Sequence, residues 1–148
     1  MLCLCSQINL ALKIIRAAAD FVTDRKLVLL VPLIFAALLA VLVIYWIFSF
    51  LMVYSVGDVT YIKSFYFGKT TWDDETKFYV GMMIFALCWL VSFTLSTNIF
   101  ILAAISATWY FDPSKEGISI LRAFIWAYTY HLGSLAFGSL IIALIWVL

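Results

Sequence analysis

Two polar side chains within long apolar stretches, Asn98 and His131, are the residues best placed to do chemistry in this sequence. Polar groups at membrane depth usually face the protein interior or a water-filled cavity, so either could mark a substrate route. His131 is the sole histidine and could titrate, but one imidazole makes no proton relay. Each sits near a stripe of small and polar residues at helical spacing. Cys88, Ser92 and Ser96 recur every four residues, with Ala103 and Ala107 extending the line; Ala127, His131, Ser134 and Gly138 follow at four, three and four. Such stripes let helices approach closely and allow hydroxyls to bond across the contact. Ser92, Ser96, Ser134 and Gly138 are accordingly read as helix-packing positions, and a route lined by the same faces stays open beside that reading.

Other chemistry finds little support. There is no Gly-rich phosphate loop, no nucleophile elbow and no pair of carboxylates inside an apolar stretch, so no catalytic residue is assigned and an enzyme is not expected. Asp73, Asp74 and Glu75 are consecutive, whereas divalent cation loops space their ligands over about a dozen residues; a solvated turn is expected there. Cys3 and Cys5 form a C-x-C without a second pair, and with Cys88 they make three thiols, which gives neither a zinc site nor an even disulfide framework. No metal and no cofactor are expected.

The elements that must position Asn98 and His131 follow from where the charges lie. Hydrophobic residues make up 67% of the chain and charged ones 11%, too few to face water around a soluble domain. All seventeen charges fall in residues 1–26, 57–77 and 112–122. The uncharged stretches 27–56, 78–111 and 123–148 are 30, 34 and 26 residues long. Each exceeds the roughly 20 residues that a helix needs to cross a bilayer. The pattern predicts an all-α, multi-pass membrane protein with three transmembrane helices, joined by loops at 57–77 and 112–122. Surplus length is absorbed by tilt or protrusion.

Residues 1–26 are read as an interfacial amphipathic helix. Ile8, Leu12, Ile15, Ala19 and Val22 form an apolar stripe opposite Asn9, Lys13, Arg16, Asp20 and Asp24, with Arg16 and Asp20 spaced for an i,i+4 pair. Pro32 disfavours helix at Val31 and predicts a bend before the first span. Six Lys and Arg flank the membrane in 1–26 and 112–122, against three in 57–77, which favours a cytoplasmic N-terminus. A net charge of +1, without basic residues interleaved among polar ones, excludes a nucleic-acid partner. The expected surroundings are the lipid bilayer and further transmembrane helices of this or other chains. Which membrane is not distinguishable.

The third apolar stretch carries a resemblance. Tyr130-His131-Leu132-Gly133-Ser134-Leu135-Ala136-Phe137-Gly138-Ser139 is similar to the signature run of the choline transporter-like family. Ala107-Thr108-Trp109-Tyr110-Phe111 before a Pro-containing loop, and Ile14-Ile15-Arg16-Ala17 followed by Val31-Pro32-Leu33, resemble that family's aromatic cluster after the preceding span and its interfacial helix and proline-bearing span. The sequence departs from the family in having Thr129 where an Arg precedes Tyr-His, and in a 57–77 loop with no Cys and no glycosylation sequon. Family members have about ten spans, so the chain resembles a middle portion of one, a fragment or a shortened paralogue. The resemblance implies part of a carrier for choline or a related quaternary amine. Recognition would then use aromatic faces, with Trp89, Trp109, Tyr110 and Tyr130 as candidates beside Asn98 and His131. The alternative is a non-transporting accessory subunit that uses a carrier-like helix bundle to hold a larger membrane complex together.

Overall fold

The computed structural model describes the backbone of residues 2–55, 58–61, 68–71, 73–114 and 116–148, and the side chains of residues 7–55, 73–114 and 116–148. Helix α1 spans Leu2–Asp24, a 3-10 turn Lys26–Leu29 leads into α2 at Leu30–Tyr54, and α3 spans Asp74–Phe111. Two shorter helices follow, α4 at Ile120–Tyr130 and α5 at Leu132–Val147. Among the described residues the protein is all-helical save for one pair of short antiparallel strands, and it is a multi-pass membrane protein. Two helices among the described residues are long and apolar enough to cross a bilayer, Lys26–Tyr54 (with the 3-10 turn) and Asp74–Phe111, and the broken pair α4–α5 makes a third if it is one crossing.

The chain forms two compact units, Met1–Phe35 with Thr97–Leu132, and Ala36–Ser96 with Gly133–Leu148. In the first, α1 is tied down by Phe21, whose ring meets that of Trp109 at 5.3 Å. Phe35 stacks on Phe124 at 5.7 Å, which joins the start of α2 to α4. Between them runs a buried line on α3, Thr97, Ile101, Ile105 and Trp109, at a spacing of four, with Ala123 and Ala127 buried on α4. In the second unit, the Trp46 indole N–H donates to the Met83 carbonyl at 3.0 Å, and that of Trp89 donates to the Ala136 carbonyl at 3.3 Å. These bonds join α2 to α3 and α3 to α5. Ser92 on α3, and Ser139 and Ala143 on α5, are the small residues buried there.

Several expectations change. Residues 57–77 are more than a loop: Asp58–Tyr61 and Gly68–Thr71 pair as antiparallel strands β1 and β2, with Asp58 opposite Thr71 and Tyr61 opposite Gly68. Val59, Thr60, Tyr61, Thr70 and Thr71 are strand-favouring residues, a short-range signal that charge counting passes over. The acidic run opens α3 instead of forming a turn. The Asp73 carbonyl accepts the Lys77 N–H at 3.1 Å, and Asp74 and Glu75 occupy the first turn, where carboxylates complement the positive end of the helix dipole. The bend after α1 lies at Arg25, whose backbone (φ −124°, ψ 58°) leaves the helix, and not at Val31. Pro32 falls in the first turn of α2, where its missing N–H costs nothing. Arg16 and Asp20 form no ion pair among the described residues; the pair present is Lys77–Asp74 at 2.7 Å, exposed and of little energetic weight. The third apolar stretch is broken at His131 (φ −117°, ψ 3°) into two helices.

The connection from α3 to α4 is built on Asp112. One carboxylate oxygen accepts the Ser114 backbone N–H at 3.0 Å and its hydroxyl at 2.8 Å, and the other accepts the Gly117 N–H at 2.9 Å. Ser119 then caps α4, its hydroxyl accepting the Arg122 N–H. Gly117 has φ +58°, and a Cβ there would lie 3.0 Å from the Trp109 backbone, so glycine is demanded twice over. Gly117→Ala is expected to lower stability by at least about 1–2 kcal/mol, the left-handed penalty alone, read as a fall in melting temperature in detergent.

The Gly117 N–H, then the Ser114 hydroxyl and N–H, hold the Asp112 carboxyl below its ordinary value. A depressed carboxylate stabilises the fold above its unfolded pKa and loses that contribution as pH falls through the folded value. Protection of the Ser114 and Gly117 amides, the slowing of their exchange relative to the intrinsic rate at the same pH, should therefore be high near neutrality and fall in acid below the usual carboxylate range. In Asp112→Asn that protection should be reduced near neutrality and independent of pH, and pH-independent protection in the wild type would refute this account.

Candidate functional site

The candidate residues fall into separate groups. Trp109 and Tyr110 lie at the C-terminal end of α3, where they line a groove against α1. Trp109 is only 5% exposed, enclosed by Phe21 and by the backbone at Gly117. It acts as the anchor of α1 and of the α3–α4 connection, while Tyr110 beside it is exposed. Asn98 is eleven residues earlier on α3, about 16 Å along the helix axis from Trp109. It is half-buried, and its Oδ1 is buried without a hydrogen-bond partner among the described residues. His131, exposed, lies against the ring of Phe100 at 4.8 Å, and Tyr130 beside it is 75% exposed. Trp89 belongs to the other unit, 37% exposed, its N–H committed to Ala136.

The stretch with the most functional character is the end of α4. A helix stops there in the middle of an apolar segment, eleven residues after Ile120 and sixteen before Val147. The last carbonyls of α4 lack the intrahelical donors that a continuous helix would supply, and they carry the negative end of its dipole. Aromatic and imidazole rings stand beside them, Phe100 and His131 in contact and Tyr130 open. Such an end can attract a cation: carbonyl oxygens and ring faces both present negative potential. Among the described residues no three His, Cys, Asp or Glu side chains converge to hold a metal ion.

The packing positions are placed as follows. Ser92 is buried and Ser96 half-buried on α3, whereas Ala103 and Ala107, on the extension of their stripe, are exposed or nearly so, because burial passes to the Thr97–Trp109 line. On α5, Ser134 is exposed and a Cβ added at Gly138 would meet nothing within 4 Å; Ser139 and Ala143 carry the burial. The cause is the break. Spacing counted through His131 assumes one unbroken helix, and residues after it start from a new phase. Phe21, Phe100, Asp112 and Gly117 escaped the sequence reading; the Asp-Pro and Gly of the connection were the available signal.

Comparison with known proteins settles the kinship. Residues 1–148 match the family described as plasma-membrane choline transporter. The chain belongs to that family. It is 26% identical over 155 aligned residues to choline transporter-like protein 2 of Dictyostelium discoideum, an alignment covering all of this chain and 25% of the relative. It is 37% identical over 86 residues to choline transporter-like protein 5 of Macaca fascicularis, covering 55% of this chain and 12% of the relative. A third relative, choline transporter-like 2 of Drosophila melanogaster, is 35% identical over 74 residues, 48% of this chain and 9% of its own length. The chain thus spans at most about a quarter of these relatives' length. No solved structure matches it.

The burial pattern of α5 separates two glycine-and-alanine positions that look alike in the sequence. Gly138→Ala should keep or raise the melting temperature in detergent, since the added methyl enters open space and alanine is the better helix former. Ala143→Leu should overpack a fully buried site and cost about 1–3 kcal/mol. Equal effects of the two substitutions would show that the α5 seam is wrongly phased.

Proposed function

We propose that this chain is part of a transmembrane carrier for choline or a related quaternary amine, and that the end of α4 at Tyr130–His131 borders the route. Family membership supports the carrier reading. The observation that supports the location is the helix break at His131 beside Phe100. Broken spans are how carriers place helix ends at bilayer depth, with carbonyl ends toward cations. A quaternary ammonium has no N–H to donate, so carbonyl dipoles and ring faces suit it better than a hydrogen-bonding pocket. Asn98, with a buried acceptor left over, is a secondary candidate on the same unit, whereas Trp109 and Trp89 serve anchoring in this reading.

Orientation belongs to the proposal as well. Arg25 and Lys26 line the same cavity as Ser119 and Leu121, so the two positively biased segments lie at one end of the first unit. The excess of Lys and Arg supports a cytoplasmic side for that end.

The test is uptake of labelled choline into vesicles containing the protein purified in its native assembly. Phe100→Ala and Tyr130→Ala are expected to lower uptake about tenfold or more with folded yield unchanged, and Phe100→Tyr to keep most of it. No uptake under any imposed gradient, with stoichiometric copurification in a larger complex, would favour the accessory-subunit reading instead.

A further inference from the structure

The apolar stripe expected on α1 is not what packs α1 onto the protein. Ile8, Leu12, Ile15 and Val22 are exposed, Ile15 by 64%, while α1 is held through a second apolar face containing Ala17 and Phe21. At 100° per residue the polar stripe of Asn9, Lys13, Arg16, Asp20 and Asp24 lies between these two apolar faces. On the packed side a groove of about 530 Å³ separates α1 from the end of α3. Leu10, Ile14, Phe21, Trp109 and Phe111 supply its apolar and aromatic walls, and Lys13 is its only charged lining residue among the described residues. The small side chains of Ala17 and Ala18 keep it open. Neither Lys13 nor Arg16, one turn further on, has an ion-pair partner among the described residues.

We propose that this groove binds an anionic phospholipid, its acyl chain between α1 and α3 and its phosphate on Lys13, with Arg16 adding to the local positive potential. Charge decides the occupant. A lone ammonium on the lip of an apolar groove repels a choline-like cation and attracts an anion, and an interfacial helix sits at headgroup depth, where a lysine stem runs along apolar surface and its head reaches phosphate. Another helix filling the groove would bury the ammonium unless it brought its own carboxylate, whereas a phospholipid supplies apolar chain and anion in one molecule. The acidic groups on the same stripe, Asp20 and Asp24, lie two and three turns from Lys13 and line not this groove but an adjoining cavity with Ala17, Trp109 and Tyr110, so the phosphate is placed at the Lys13 end. This site stands independently of what the carrier moves.

The protein in its native assembly is reconstituted in vesicles of equimolar phosphatidylglycerol and phosphatidylcholine, re-extracted in mild detergent, and its retained lipid quantified by mass spectrometry. Phosphatidylglycerol is expected to be retained about fivefold over phosphatidylcholine, the ratio one basic residue near the surface confers. Lys13→Gln should bring that ratio close to one. Ala18→Trp, which fills the groove, should lower the amount of phosphatidylglycerol retained, and Lys77→Gln, in the other unit, should change nothing. Helicity and elution volume confirm that each variant is folded. Equal retention of the two lipids by the wild type overturns the proposal, and so does selectivity that survives Lys13→Gln, retention that survives Ala18→Trp, or a loss equally large in Lys77→Gln.

Discussion

A peptide group in hydrocarbon has no water to bond with, and everything in this structure follows from satisfying it within the chain. Long helices satisfy it by their own ladders, which is why α2 can be almost wholly apolar and why α2 and α3 can be largely exposed to their surroundings. Two buried hydroxyls inside the helices obey the same rule, Thr94 donating to the Leu90 carbonyl and Ser139 to that of Ala136, whereas the Ser92 hydroxyl is buried without a partner among the described residues. Where a ladder is interrupted, something else must stand in. After α3 it is the Asp112 carboxylate and the Ser119 hydroxyl. At His131 the interruption lies inside an apolar segment, and the groups around it are rings.

That contrast separates a closed connection from an open one. The Asp112 connection is closed: its amides have partners, its glycine is pinned against Trp109, and its role ends at joining α3 to α4. The end of α4 is open, with Tyr130 exposed and carbonyls that the helix does not use. A site that recognises a cation needs such unspent acceptors.

What could be read in the sequence was what depends on composition over twenty residues or more. The exile of every charge to three segments marks the helices, the amphipathic period marks α1, and the Tyr130–Ser139 run marks the family. What could not be read depends on phase and on contacts distant in the chain. Whether the seam of α5 runs through Gly138 or Ser139 turns on one residue of helix lost at His131. That Trp109 is an anchor depends on Phe21, eighty-eight positions earlier. The pairing of Asp58–Tyr61 with Gly68–Thr71 is signalled only by short β-branched runs, which carry no long-range pattern. Which apolar face of α1 packs was undecidable for the same reason: both faces are apolar, and only α3 chooses between them.

The two indole bonds of the second unit have an asymmetry. Trp46 and Trp89 donate to carbonyls of Met83 and Ala136, oxygens that every amino acid carries. Replacing Met83 or Ala136 leaves the acceptor in place, so half of each cross-link is written in the backbone and is indifferent to mutation. The whole informational burden of holding α3 to its neighbours through these bonds falls on two tryptophans, and the facing helices are free to vary in side chain as long as they stay helical.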